Sequence, residues 1–173
     1  IVALGRLTNV ALALSLEPRF AQSVARIVVM GGAVYVPGNV SPVASANLYE
    51  DPESAAIVYS SGAPLTQVGL DVCNKVHISQ SHLEQIKRAD TPTTRLLSTA
   101  TPSLQQSYVK RGLLREGDGV RYNDLPAVAF MVDPTLFGSS EMFVEIETHS
   151  PSARGQTVAQ LIGPEARIPN ATV

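Results

Sequence analysis

Asn39, Asn47, Asp51, Asp71, Asn123 and Asp124 are the side chains whose types and positions could do chemistry in this sequence. Each lies where an apolar run ends or a new one begins. Amides and carboxylates at such places either hold the backbone or face a polar ligand. Asn39 follows Gly38 and reads by default as a left-handed turn residue. Asn47 sits in the apolar stretch Ala46-Asn47-Leu48. A buried Asn must find partners, so it ties down a loop or contacts a polar ligand. Asp51, followed by Pro52 and Glu53, reads first as a helix cap, and Asp124 can cap the apolar helix after it. Asp71 either caps a turn or faces a site.

Several other chemistries lack their motifs. There is no G-x-S-x-G elbow, phosphate-binding Walker loop, G-x-G-x-x-G or zinc-type Cys/His spacing. His77, His82 and His149 have no nucleophile patterned beside them.

The elements that position these residues follow from periodicity. Val28-Val29-Met30 is an apolar run that stops at Gly31-Gly32, and a polar loop then runs to Asp51. This reads as a buried strand, a loop leaving its carboxyl end and a capped helix. Ligands in open α/β sheets sit outside the carboxyl ends of strands, so residues 31–51 are the first place to look for a site. Strands are expected at residues 1–4, 26–30 and 65–70, with helices at 7–16, 18–25 and 51–60 between them. That β-α-β-α-β order with short links implies parallel strands. Further helices are expected at 79–89, 93–110 and 124–132. A half-buried strand is expected at 142–148 and a turn-rich link at 150–155. No repeat or interdomain linker is visible, and residues 1–173 read as one partial domain.

Composition narrows the function. The chain is 45% hydrophobic with a net charge of −2, which gives no electrostatic footprint for nucleic acid. No apolar run approaches the ~18 residues of a membrane span. Cys73 is the one cysteine, so an intrachain disulfide is impossible and a reducing, cytoplasmic setting is expected. Charged residues make up only 16%, which suggests a surface covered by more protein. The apolar start at Ile1-Val2-Ala3-Leu4 reads as strand and the close at Ile168-Pro169-Asn170-Ala171-Thr172-Val173 as the entry to another, so a longer protein is expected.

The order of motifs resembles the inosine-uridine preferring nucleoside hydrolases. The resemblance rests on Leu4-Gly5-Arg6-Leu7-Thr8-Asn9, Val29-Met30-Gly31-Gly32, Gly38-Asn39, Asn47-Leu48-Tyr49 and Asp51-Pro52-Glu53. It continues through Val68-Gly69-Leu70-Asp71-Val72, Asp124-Leu125-Pro126-Ala127-Val128-Ala129, Asp133-Pro134 and Arg154-Gly155-Gln156-Thr157-Val158. It covers nearly the whole chain.

The resemblance implies an open, doubly wound and mostly parallel α/β sheet with helices on both faces, here incomplete on its amino-terminal side. It implies hydrolysis of the N-glycosidic bond of ribonucleosides, giving ribose and free base, and assembly as a homo-oligomer. It also implies a calcium ion held by Asp side chains and one backbone carbonyl, with the Leu4 carbonyl and Asp124 as ligands in this chain. Met30, Asn39, Ser45 and Asn47 match positions of the ribose pocket, and Tyr108 lies where a base could stack, although packing on a helix face is the plainer reading. Three features depart from the family pattern. The Asp-rich motif that supplies the general base and most metal ligands would precede residue 1. Ser45 stands where the family commonly has a ribose-binding Glu. Asn123 stands where many members have the His that helps the base depart. These departures motivate an alternative, a non-catalytic ribosyl-binding or interaction relative.

Overall fold

The computed structural model describes residues 1–160 and 167–173, which form two compact units. One comprises residues 1–72 and 124–173, the other residues 73–123.

In the larger unit, β1 (Val2–Ala3) is followed by α1 (Thr8–Leu16), α2 (Phe20–Ser23) and β2 (Ile27–Met30). Then come α3 (Ala46–Tyr49), α4 (Pro52–Tyr59), β3 (Leu65–Val68) and α5 (Leu70–Cys73). β1, β2 and β3 are adjacent and parallel, with Val2 opposite Val28 and Val29 opposite Gln67. The β-α-β-α-β expectation therefore holds.

The smaller unit pairs α6 (Gln80–Arg88) with α7 (Pro92–Lys110). Ser79 caps α6 by accepting from the His82 N–H, and Thr91 and Thr94 cap the start of α7 reciprocally. An antiparallel bridge between Ile78 and Val120 closes this unit's base.

The chain re-enters the larger unit with α8 (Leu125–Val132) and a 3-10 turn (Pro134–Leu136). β4 (Glu141–Met142), β5 (Val144–Ile146), β6 (Thr157–Ala159) and β7 (Ala171–Thr172) follow. The main sheet has the order β1-β2-β3-β7-β4, parallel except at β7/β4, and β5 and β6 form a separate hairpin.

Successive strand residues point to opposite faces. Ile27 and Val29 pack with Leu7, with Ala11 and Leu14 of α1 and with Ala55 and Val58 of α4. Val28 and Met30, on the other face, are equally buried. There α8 packs on β1 and β2, burying Pro126, Ala127 and Phe130. Helices thus cover both faces of the sheet, which is why β2 reads as a continuous apolar run.

One expected strand, at 142–148, is split at Phe143 between two sheets. The cause is Asn170. Its Oδ1 accepts from the Val144 N–H at 2.7 Å, and its Nδ2 donates to the carbonyls of Val144 at 2.9 Å and Tyr59 at 3.0 Å. A side chain here takes the place of a strand partner, so the chain changes sheets without leaving polar groups bare.

Asp51 caps α4. Its Oδ1 accepts from the Ser54 N–H at 3.1 Å, and its other oxygen accepts from the Thr8 hydroxyl. Chiefly the Thr8 bond, helped by Ser54 and opposed by burial, holds its carboxyl below the usual range. A carboxyl depressed by folding stabilises the native state above the ordinary Asp range, and the contribution disappears as pH falls through the lowered value. Asp51→Ala is therefore expected to cost about 1–2 kcal/mol at neutral pH. The gap to the parent should close in strong acid, as read by urea denaturation at both pH values.

Candidate functional site

Leu4 immediately follows β1 and Met30 closes β2, so their carbonyls lie at the carboxyl ends of adjacent parallel strands. Asn47 of α3 bridges them. Its Nδ2 donates to the Leu4 carbonyl at 3.1 Å and the Met30 carbonyl at 2.9 Å, and lies 3.2 Å from the Met30 sulfur. Both amide hydrogens are engaged, and Oδ1 keeps its acceptor capacity.

The loop from Gly31 to Asp51 is held at nearly every step. The Gly31 N–H continues the ladder to the Val68 carbonyl at 3.2 Å. Gly32 adopts φ +89°, and a Cβ there would fall 2.6 Å from the Gln67 amide, so only glycine fits. The Gly32 N–H donates to Ser45 Oγ at 2.7 Å, and the Gly32 carbonyl accepts from the Leu70 N–H at 2.9 Å. Thr157 Oγ1 accepts from the Ala33 N–H at 2.9 Å and donates to the Ala33 carbonyl at 2.7 Å. The Asp71 carboxylate accepts from the N–H groups of Val34 at 3.0 Å and Tyr35 at 2.7 Å. Asn39 Oδ1 accepts from the Ala46 N–H at 2.9 Å. The loop is therefore built before any ligand arrives, the pre-organisation that a binding site requires.

These bonds decide several open readings. Asp71 clamps the loop backbone, and Asp51 is a helix cap. Asn39 is not the left-handed turn residue expected, since its φ is not positive; its side-chain oxygen instead holds the start of α3. Ser45 is 1% exposed with its hydroxyl on Gly32, so it shapes the loop from within. Met30 and Leu4 meet at the Asn47 amide, and these residues are the nucleus of the candidate site.

Asp124 precedes α8 without capping it by its side chain. Its carboxylate has no hydrogen bond or ion pair among the described residues and reaches solvent. Packing around it still raises its carboxyl above the usual range, by desolvation. It is a hard oxygen donor with no structural task. The Leu4 carbonyl, which accepts one bond from Asn47, is another hard oxygen donor, and Leu4 is 37% exposed. Carboxylate and carbonyl oxygens are the donor types that calcium takes, six to eight at a time. No group of three or more His, Cys, Asp or Glu able to hold a metal occurs among the described residues.

In the smaller unit, Tyr108 is half-buried on α7, where its carbonyl accepts from the Leu113 N–H at 2.9 Å. Asn123 is half-buried, and its carbonyl receives the Cys73 thiol at 3.2 Å. Sequence reasoning missed Thr157 and Gln67. Thr157 contacts a loop 124 residues away, and no local pattern marks it. Gln67 is a polar residue in a fully buried strand, a signal that could have singled it out. It lies behind Gly32, accepts from the Tyr59 hydroxyl at 2.7 Å, and leaves its Nε2 without a partner.

The profile of a family described as inosine-uridine preferring nucleoside hydrolase matches residues 1–173. The pyrimidine-specific ribonucleoside hydrolase RihA of Salmonella typhimurium is 34% identical over 100% of this chain and 55% of its own length. The same enzyme of Escherichia coli is 35% identical with the same coverage. A solved plant nucleoside hydrolase superposes with a TM-score of 0.89 at 30% identity, covering 100% of this chain and 55% of that one. A purine-preferring ribonucleoside hydrolase from Gardnerella vaginalis gives 0.87 at 31% identity, covering 99% and 54%. The chain thus spans about half the length of the curated relatives it matches.

Proposed function

The chain belongs to the inosine-uridine preferring nucleoside hydrolase family, and from that premise we propose that it forms part of an enzyme hydrolysing the N-glycosidic bond of ribonucleosides. The observation that carries this reading is the Asn47 amide across the carboxyl ends of β1 and β2, beside a loop already held in place. Asn47 Oδ1 would accept from a ribose hydroxyl while its Nδ2 keeps the two strand ends together. An uncharged amide suits the task, because glycosidic cleavage passes through an oxocarbenium-like state and a neutral group does not pair with its developing charge.

Calcium, in this proposal, would be held by Asp124 and the Leu4 carbonyl together with ligands from a preceding segment, and when bound it would orient and acidify a water. Residues 1–173 by themselves would hold it weakly and lack the general base. In the longer protein a homo-oligomer is proposed, supported by the exposed apolar side chains Leu12 and Leu16 on α1 and Met131 and Val132 on α8. No helix among the described residues is long and apolar enough to cross a membrane, and a cytoplasmic location is proposed from the single free Cys73.

Release of ribose from pyrimidine and purine nucleosides by the full-length protein, with and without calcium, tests the reading. Calcium-dependent release supports it, and none with any nucleoside favours the second reading, a ribosyl-binding relative without catalysis. That alternative draws on Ser45, whose hydroxyl is occupied inside the loop, and on Asn123, whose amide cannot act as a general acid. If the protein is active, a base that needs protonation should leave slowly and nitrophenolate much faster. Asn123→His should then raise turnover of natural nucleosides by up to about 10²–10⁴-fold. An unchanged natural-substrate rate in that variant would mean that another residue supplies the proton.

A further inference from the structure

Lys75, His77, Arg115 and Arg121 line an open cleft of about 550 Å3, all within residues 73–123. Lys75, Arg115 and Arg121 form no ion pair among the described residues. Asp118 is the acidic group on the wall, and its Oδ2 is engaged as a turn cap, accepting from the Arg115 backbone N–H at 2.9 Å. Arg121 is half-buried. Its Nε is closed to solvent and has no partner, and its Nη1 reaches Asn74 Oδ1 only at 3.4 Å. A guanidinium removed from water without a counter-charge is destabilising, and converging cations repel one another.

The loop that carries Arg115 and Arg121 has a firm base. Ile78 and Val120 exchange backbone hydrogen bonds at 2.8 and 2.9 Å. Gly119, at φ +92°, lies so close to the Ile78 carbonyl that a Cβ would be 1.9 Å from its oxygen. The cations thus converge on a built concavity.

We infer that this cleft binds a phosphate dianion, free or on a small phosphomonoester. Arginine forks match phosphate oxygens, and a dianion offsets the unpaired charge around Arg121. The cleft has the volume of a small-molecule site. An overall charge of −2 disfavours a nucleic-acid polyanion, whose backbone would meet repulsion outside the cleft. The inference does not rest on the hydrolase reading, because a binding measurement tests it without turnover.

Titration calorimetry of the full chain with inorganic phosphate, ribose 5-phosphate and uridine 5′-monophosphate, with ribose and uridine as uncharged controls, tests it. Saturable binding of phosphate-bearing probes is expected, weakened about tenfold or more by Arg115→Ala and again by Lys75→Ala. Both residues are exposed, so neither change threatens the fold. Asp118→Asn should tighten binding, since it removes a negative charge and keeps the acceptor for Arg115. Tighter binding of the organic probes identifies a phosphomonoester as ligand, and equal binding identifies free phosphate. Phosphate-bearing probes that bind no better than their uncharged parents, or binding that ignores both substitutions, would overturn the inference.

Discussion

Asp124→Ala should reduce nucleoside hydrolysis by the full-length protein at least about 10²-fold, the loss typical of removing one electrostatic stabiliser, and leave its stability intact. The two halves of this expectation have one origin. The carboxylate neither caps α8 nor bonds to any described residue. Desolvation raises its carboxyl above the ordinary value, so folding disfavours the ionised form. A group raised in this way weakens the native state as pH rises past the unfolded Asp value. Its removal at neutral pH therefore leaves stability unchanged or slightly improved. Ribose release and urea midpoints on the same preparation check both halves. An active variant would remove Asp124 from the site, and an unfolded one would make it structural.

Thr157→Val should be the costly change of the supporting framework. The substitution keeps the shape and removes the hydroxyl, leaving the N–H and carbonyl of Ala33 without their partner. Thr157 is 4% exposed, so water cannot replace it. Each unsatisfied buried group costs about 1–3 kcal/mol, so for the two groups about 2–6 kcal/mol is expected. Thr157→Ser keeps the hydroxyl and should lose only about 1 kcal/mol, for the missing methyl. Equal midpoints for the Val variant and the parent in urea would show that the Ala33 bonds contribute nothing.

Legibility in the sequence followed the range of the forces. Ile27 to Met30 and Leu65 to Val68 were readable because burial on both faces demands apolar residues at every step. Asp51-Pro52-Glu53 was readable because capping is local. The Gly31-Gly32 break and the asparagines after it mark a loop leaving the end of β2. Whether Asn39 would turn the chain or touch a ligand was not readable, because its acceptor oxygen is used by Ala46, seven residues away. Ser45 could be placed by resemblance, yet its bond to Gly32 depends on how α3 folds back over the strand end. The split at Phe143 depends on Asn170, 26 residues beyond Val144, and alternation within 142–148 carries no trace of it. The short α3 is not legible, because four residues carry too little periodicity.

The position of β7 has a consequence for how this chain acquires its structure in time. Residues 171–172 lie between β3 and β4, inside the sheet, although they come last in sequence among its strands. Until they arrive, β4 has no neighbour in the sheet and β3 presents an unpaired edge. Local βα units can form during synthesis, but β3 and β4 are joined only once residues 171–172 have left the ribosome. Pairings between such distant residues form slowly, because chain entropy is lost before the contact stabilises anything. A folding intermediate with β1, β2 and β3 joined and one flank open would be the species most exposed to aggregation on the ribosome or during refolding.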